Sequence, residues 1–495
     1  MRKTAALFSI LCIGMASAAW SLNATVKKDG TGDVTTVQDG LNLVASGGQP
    51  MGTVTILDSA TYDEDLTIMV TVHDGITLKA APGERPRIRA ANTAHRWDFL
   101  VAPGTMIDYM GIMVATHCTI EGIDIQQAAL VPNLLGFSAA LTVESLPGAV
   151  NTQCTVRNCR LWGPGVDVGT VVSAVHLSWG TDTHPETTYE GCDFSTAVYC
   201  LVNVNFGPPA FGLGLLPVYT VFGDPITTMT DCVIQNNVAD GADCMAGEMY
   251  FDNCVFRYNG EDGVEIGGGT CYFTGCDFTD NDECGLLLEF AEGDYNLGRA
   301  NFPVAIATDC LFARNLGGGQ DGSLRIDEGM AAMSRSIISQ PVNTWSIFMD
   351  DNVDVGPIPT PPSPCTLVMD FCDIFGPTQN AIGFGTDVKE HDIPTTITNS
   401  VIVAVDGWVN PDSSFISGHV ENCVLWCSGI PTSGVTVVNC ETTKEPIYLL
   451  PYGGTRDGFY YLNTDLNIGM GGQDVGSQGH FEIGPMRARH WALYN

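Results

Sequence analysis

Apolar positions along this chain come in short bursts of period two. Val264-Glu265-Ile266 and Ile76-Thr77-Leu78 alternate apolar with polar side chains, as does Tyr62 to Ile68 in a looser way. Such alternation turns one face of a short strand inward. The bursts recur at a fixed interval. Cys232, Cys254 and Cys276 are 22 residues apart, and two residues on from each stand Ile234, Phe256 and Phe278. Five residues on stand Asn237, Asn259 and Asn281, and nine on stand Gly241, Gly263 and Gly285. The pattern predicts short strands joined by corners, repeated once per 22 residues. Helical spacing is expected near the start, where Val37, Leu41 and Val44 fall at i, i+4 and i+7.

The frame extends both ways. Downstream it passes through Cys310-Leu311-Phe312 to Asn315, then Cys372, Ser400, Cys423 and Cys440. Upstream it includes Ile123, Cys159 and Cys192. A unit of this kind cannot bury a core alone, so successive units must stack. Stacked asparagines then bond from coil to coil, and glycine and asparagine are expected to take the left-handed conformation at the corners. The unit resembles the right-handed parallel β-helix, the solenoid of pectate lyases, polygalacturonases and many secreted bacterial proteins. Thr25 to Leu41 is similar to the opening of pectin methylesterases, where a strand and a helix cap the first coil. The resemblance implies an all-β chain, a right-handed parallel β-helix with an N-terminal capping helix and long loop excursions. The implied divisions are a signal peptide at 1–18, cap and first coils at 19–90, coils at 91–440 and a closing coil and C-terminal cap at 441–495. Excursions are expected near 163–187, 203–227, 289–306, 341–366 and 376–395.

Charge narrows the function. The chain has 495 residues and a formal net charge of −35, which argues against a nucleic-acid partner. Arg2 and Lys3, an apolar run from Ala5 to Met15, and Ala16-Ser17-Ala18 read as an export signal. The run is too short to span a bilayer, and no later segment is long and apolar enough. Export to the extracellular space or cell surface follows, with the periplasm as the other destination. Removing residues 1–18 leaves seventeen cysteines, an odd number. Ile123 and Ser400 replace cysteine at the frame position. That favours an inward stack over disulfides or metal ligands.

The candidate chemistry is acidic. The frame stacks Asp240 on Asp262 and Asp243 on Glu265, and neighbouring coils lie about 4.8 Å apart. Like charges at that distance must share a proton, stay solvated or bind a cation. Three readings stay open: a solvated acidic face, a calcium site on Asp240, Asp243, Asp262 and Glu265, or a carboxyl pair for glycoside chemistry. Family motifs fail. Asp373-Ile-Phe-Gly376, Leu297-Gly298-Arg299, Asp350-Asp351 and Gly418-His419 are fragments in the wrong order. His176 and His184, near Trp179 and Asp182, form a weaker sugar-stacking candidate on a loop. The apolar stretch 203–227 is a candidate surface for self-association. The leading expectation is a secreted, non-catalytic binding protein or structural scaffold, with an extracellular polysaccharide as partner. The alternative is a carbohydrate-active enzyme, a polysaccharide lyase or glycoside hydrolase. An acidic polymer would be repelled by this surface unless calcium bridged it.

Overall fold

A computed structural model describes residues 22–443, with longer breaks at 91–106, 128–136, 206–224, 290–301, 351–364 and 385–392 and several shorter ones. The expected signal peptide, the apolar stretch from 206 to 224 and the closing segment from 444 onward therefore lie outside the described residues. Forty strands and one helix are described. The strands form three parallel sheets of fifteen, thirteen and twelve members, here A, B and C. Each coil runs through A, B and C in turn, as in Glu248–Asp252, Val255–Arg257 and Val264–Ile266. The chain is a right-handed parallel β-helix.

The corners explain the frame. Between sheets A and B the chain turns in two residues. The first is left-handed, as at Asn158, Asp231, Asn253 and Gly275, and the second is the inward cysteine. A further left-handed residue follows sheet B at Asn236, Tyr258, Asp280 and Arg314. The expectation that glycine and asparagine take that conformation at the corners holds at Asn158, Asn236, Asn253 and Gly275, whereas the frame residues Asn237, Asn259, Asn281, Gly241 and Gly263 are not left-handed. The glycines answer a close approach instead. A Cβ on Gly241 would meet the Gly263 carbonyl oxygen at 2.4 Å, and one on Gly263 would meet that of Gly285 at 2.5 Å. The asparagines form the expected ladder. Nδ2 of Asn237, Asn259 and Asn281 each donates to Oδ1 of the next asparagine at 2.9 Å, ending on Asn315.

The cysteine line is an inward stack, as expected. The sixteen cysteines whose side chains are described form no disulfide, and fourteen are buried. The thiols do more than fill space. Cys232 Sγ donates to the Thr230 carbonyl at 3.3 Å, and Ser336 and Ser400 at the same position donate to the carbonyls two residues back at 2.9 and 2.7 Å. The same side chains accept a backbone N–H from the coil above, as Ser336 does from Cys310 at 3.1 Å. A small residue that both donates and accepts suits this corner, which explains why cysteine and serine alternate there. Thiol titration should therefore find at least sixteen free thiols after denaturation. In the native chain Cys440 should react first. It is only half-buried, and the neighbouring Cys423 thiol holds its pKa down to about 7. Native protection of none, or recovery of far fewer thiols on denaturation, would contradict the stack.

Inside, phenylalanines pile in register. Phe256, Phe278 and Phe312 stack with centroids 4.9 and 4.5 Å apart. Helix α1, Val37–Ser46, buries Val37, Leu41 and Val44 against the first coil, as its spacing predicts. Thr36 caps it, and the Glu64 carboxylate accepts the N–H groups of Val37 and Gln38 at 3.0 Å each. Among the described residues no helix is long and apolar enough to cross a membrane.

The long breaks border sheet C. Residues 91–106 and 128–136 lead into it, and 206–224, 290–301, 351–364 and 385–392 lead out of it. The expected excursions need correction at their edges. Strands Thr170–Ser178, Trp345–Met349 and Asn380–Phe384 interrupt three of them.

Candidate functional site: a carboxyl face on sheet C

One outward column of sheet C carries Asp243, Glu265, Leu287, Arg325 and Phe348 on successive coils. Alternation puts these side chains outside, between two inward neighbours such as Val264 and Ile266. Asp243 and Glu265 are register partners, as the frame predicts. Asp240 and Asp262 sit just before the strands and also stack. Asp240 Oδ1 accepts the Asp262 N–H at 2.9 Å, and Asp262 Oδ1 accepts the Cys284 N–H at 2.7 Å. Two of the four acids therefore close coil corners, while Asp243 and Glu265 stand on the strand face.

The solvated reading is corrected for three of these acids, and Glu265 is half-buried. Asp240, Asp243 and Asp262 are only 2%, 4% and 3% exposed. The repeat gives register but says nothing of what lies over a face. Burial pushes the Asp240 carboxyl up to about 8, helped by the charge of Glu265 and a bond to it. Glu265 is pushed up to about 8 by burial and by the charges of Asp243 and Asp262. Burial and Asp240 raise Asp262 well above the carboxylate range. The face holds protons at neutral pH because like charges cannot all ionise there.

A second acidic row escaped the sequence reading. Glu289, Asp327 and Asp350 follow the sheet C strands on consecutive coils, each donating its N–H to the coil before. Arg325 grips Asp327 through Nε and Nη2 at 2.8 and 2.6 Å. Burial, with Glu289 and Asp350 nearby, still pushes Asp327 up to about 6. The insertions between coils hid this row. Only an alignment stepping over residues 290–301 and 317–321 brings Asp327 beneath Glu289. Among the described residues, no three His, Cys, Asp or Glu side chains converge as metal ligands would. The calcium expectation therefore finds its oxygens but no assembled cage.

The remaining candidates fall apart spatially. His176 is not on a loop. It lies on strand Thr170–Ser178 inside the solenoid, fully buried, with Tyr189 Oη and Thr227 Oγ1 each 2.8 Å from a ring nitrogen. An interior histidine and a loop histidine look alike in sequence. His184 pairs with Glu186 at 3.2 Å, and Trp179 and Asp182 lie outside the described residues. Asp373–Gly376 is a buried strand of sheet B, and His419 pairs with Glu421 on sheet A, while Leu297-Gly298-Arg299 and Asp351 lie outside the described residues.

A family model described as "Right handed beta helix region" matches residues 219–321. Similar solved structures include the Dettilon tailspike protein, 13% identical over 82% of this chain and 65% of that one, TM-score 0.38. The Agl-KA catalytic domain is 11% identical over 82% and 64%, TM-score 0.45. The Azotobacter vinelandii mannuronan C-5 epimerase AlgE4 A-module is 12% identical over 82% and 90%, TM-score 0.36. The chain spans just under two thirds of the first two. No curated protein matches it.

Proposed function

We propose that this right-handed parallel β-helix protein works outside the cell on a glycan, and that Asp240, Asp243 and Glu265 form an acid–base centre for glycoside hydrolysis. One observation carries the reading. A carboxyl held protonated near neutral pH, at about 8 for Glu265, stands one strand from a second carboxyl. Glycoside hydrolysis needs a proton donor and a carboxylate flanking one bond. Adjacent strands about 4.8 Å apart suit the shorter separation, about 5 Å, that retention of configuration requires. In this arrangement Glu265 donates to the leaving oxygen and Asp243 faces the anomeric carbon. Burial and the charges of Asp243 and Asp262 hold the proton on Glu265, while the bond between Glu265 and Asp240 favours a proton on Asp240. The choice of a glycan rests on the likeness of the coil frame to carbohydrate-active β-helix proteins, and the charge of −35 favours a neutral one.

A binding-only role draws on a different observation. Asp240 and Asp262 already serve as backbone acceptors at coil corners, a use that needs no substrate. The two readings separate in one assay. The mature protein is incubated with a polysaccharide panel, with and without calcium, while reducing ends and unsaturated products are followed. Hydrolysis should appear without unsaturated products and without calcium dependence. Glu265→Gln and Asp243→Asn should each lower it by about 10²-fold or more while polymer binding persists. Binding without product across the panel would leave the scaffold role. A rate and melting temperature that follow calcium would return the acids to cation binding.

A further inference from the structure

We infer that Tyr258 is a stacking residue that holds a sugar ring against the coil that carries Glu265. The inference rests on the glycan reading above and names a contact within it. The corner after sheet B forms a column: Thr196, Asn236, Tyr258, Asp280 and Arg314, all left-handed, with φ of 57°, 56°, 55°, 59° and 59°. Asparagine and aspartate take this conformation with little strain, whereas a bulky aromatic resists it.

Structural reasons account for the neighbours. Asn236 is the residue the corner prefers. Asp280 and Arg314 hold each other through two bonds of 2.7 and 2.6 Å. Thr196 Oγ1 donates to the Gly163 carbonyl at 3.1 Å. Tyr258 has no such return. It is 53% exposed, and among the described residues its hydroxyl bonds to nothing in the chain. A local rule broken without structural gain marks a functional position.

The ring is held in place rather than loose. The Arg257 guanidinium lies 5.7 Å from its centroid, and Arg257 Nε is itself fixed by Gln235 Oε1 at 3.0 Å. Behind it, Asn259 is locked into the buried ladder on both sides. Glu265 follows on the same coil, seven residues on, after the chain turns into sheet C. A rigid, exposed aromatic offers a face for the C–H groups on one side of a sugar ring. Its place one corner before sheet C puts that contact on the coil that also carries Glu265.

Native gels containing mixed-linkage β-glucan, xylan, dextran or polygalacturonate test the contact through retardation of the full chain. Tyr258→Asn should weaken retardation by the recognised polymer about tenfold, with the melting temperature unchanged or raised because the corner is relieved. Tyr258→Phe should bind within about twofold of the parent. Equal retardation of the parent and Tyr258→Asn overturns the inference, as does Tyr258→Phe binding as weakly as Tyr258→Asn. Retardation of the parent by no polymer overturns it too. Glu265→Gln distinguishes the two failures. If it keeps full turnover while Tyr258→Asn loses binding, the acid–base centre fails and the stacking contact stands. If it is inactive while Tyr258→Asn binds normally, the reverse holds.

Discussion

Raising the pH from about 5 to about 8 lowers the unfolding free energy of this chain, and Glu265→Gln flattens the response. Asp240 and Glu265 keep their protons in the folded chain up to about 8, whereas their ordinary values are 3.8 and 4.5. Between those limits the folded state binds a proton that the unfolded state has lost. Unfolding then releases it, so higher pH favours unfolding. The stability is complete below the ordinary carboxylate range, declines through the window and levels off above about 8. One proton shared by the pair contributes about 1.4 kcal/mol per pH unit. The raised Asp262 and Asp327 act in the same direction. Asp33, Asp63 and Asp74, all lowered by hydrogen bonds, contribute stability that is lost only at the acid end. Glutamine keeps the shape of Glu265 and removes the charge conflict, so the variant should gain stability at pH 8 and little at pH 5. Denaturant titrations at several pH values and constant ionic strength measure this. A parent whose stability rises over the window, or a variant with an undiminished slope, would contradict it.

Asn259→Ala should cost roughly 2–6 kcal/mol, because it leaves two buried donors without acceptors. Asn259 Oδ1 accepts both the Asn237 N–H at 3.3 Å and Asn237 Nδ2 at 2.9 Å. Asn259 itself is fully buried, so water does not replace what is lost. Asn259→Asp keeps an acceptor for Asn237 but sets a carboxylate oxygen against the Asn281 Oδ1 acceptor, so it should recover part of the loss only at acid pH, where a protonated oxygen donates there. Equilibrium denaturation of the parent and both variants checks the order. An alanine variant as stable as the parent would mean that the ladder contributes nothing net.

Much of this was legible in the sequence, for a physical reason. The rows that point inward or sit at corners obey strict sterics, so they repeat. Cysteine or serine follows most left-handed residues between sheets A and B, asparagine joins asparagine, and Phe256 meets Phe278. The same register placed Asp243 beside Glu265 before any coordinates. What failed to show was whatever does not repeat. Insertions of different length precede Asp327 and Asp350, so no fixed period reveals them. Burial of Asp240 and Asp262 comes with their bonds to backbone N–H groups at the corners, which register alone does not encode. His176 reads as a loop residue because its strand Thr170–Ser178 lies in a stretch without frame residues. The left-handed residues stand one place before the frame positions, so the sequence marked the corner and misnamed the residue that makes it.

Matched rungs also bear on how such a chain grows. The coils beginning at Cys232 and Cys254 follow one another at 22 residues with no insertion, and they carry the stacked acids. Copying a coil in frame preserves every ladder, because each rung already accepts its own kind. It also copies any outward carboxyl to a place one strand away. A lone surface acid, harmless by itself, becomes a crowded pair with a proton to hold. Duplication of a scaffold unit can thus create the raw material of acid–base chemistry without any substitution at the site. The later change of one copy, such as Asp243 facing Glu265, is then enough to make the two carboxyls unequal.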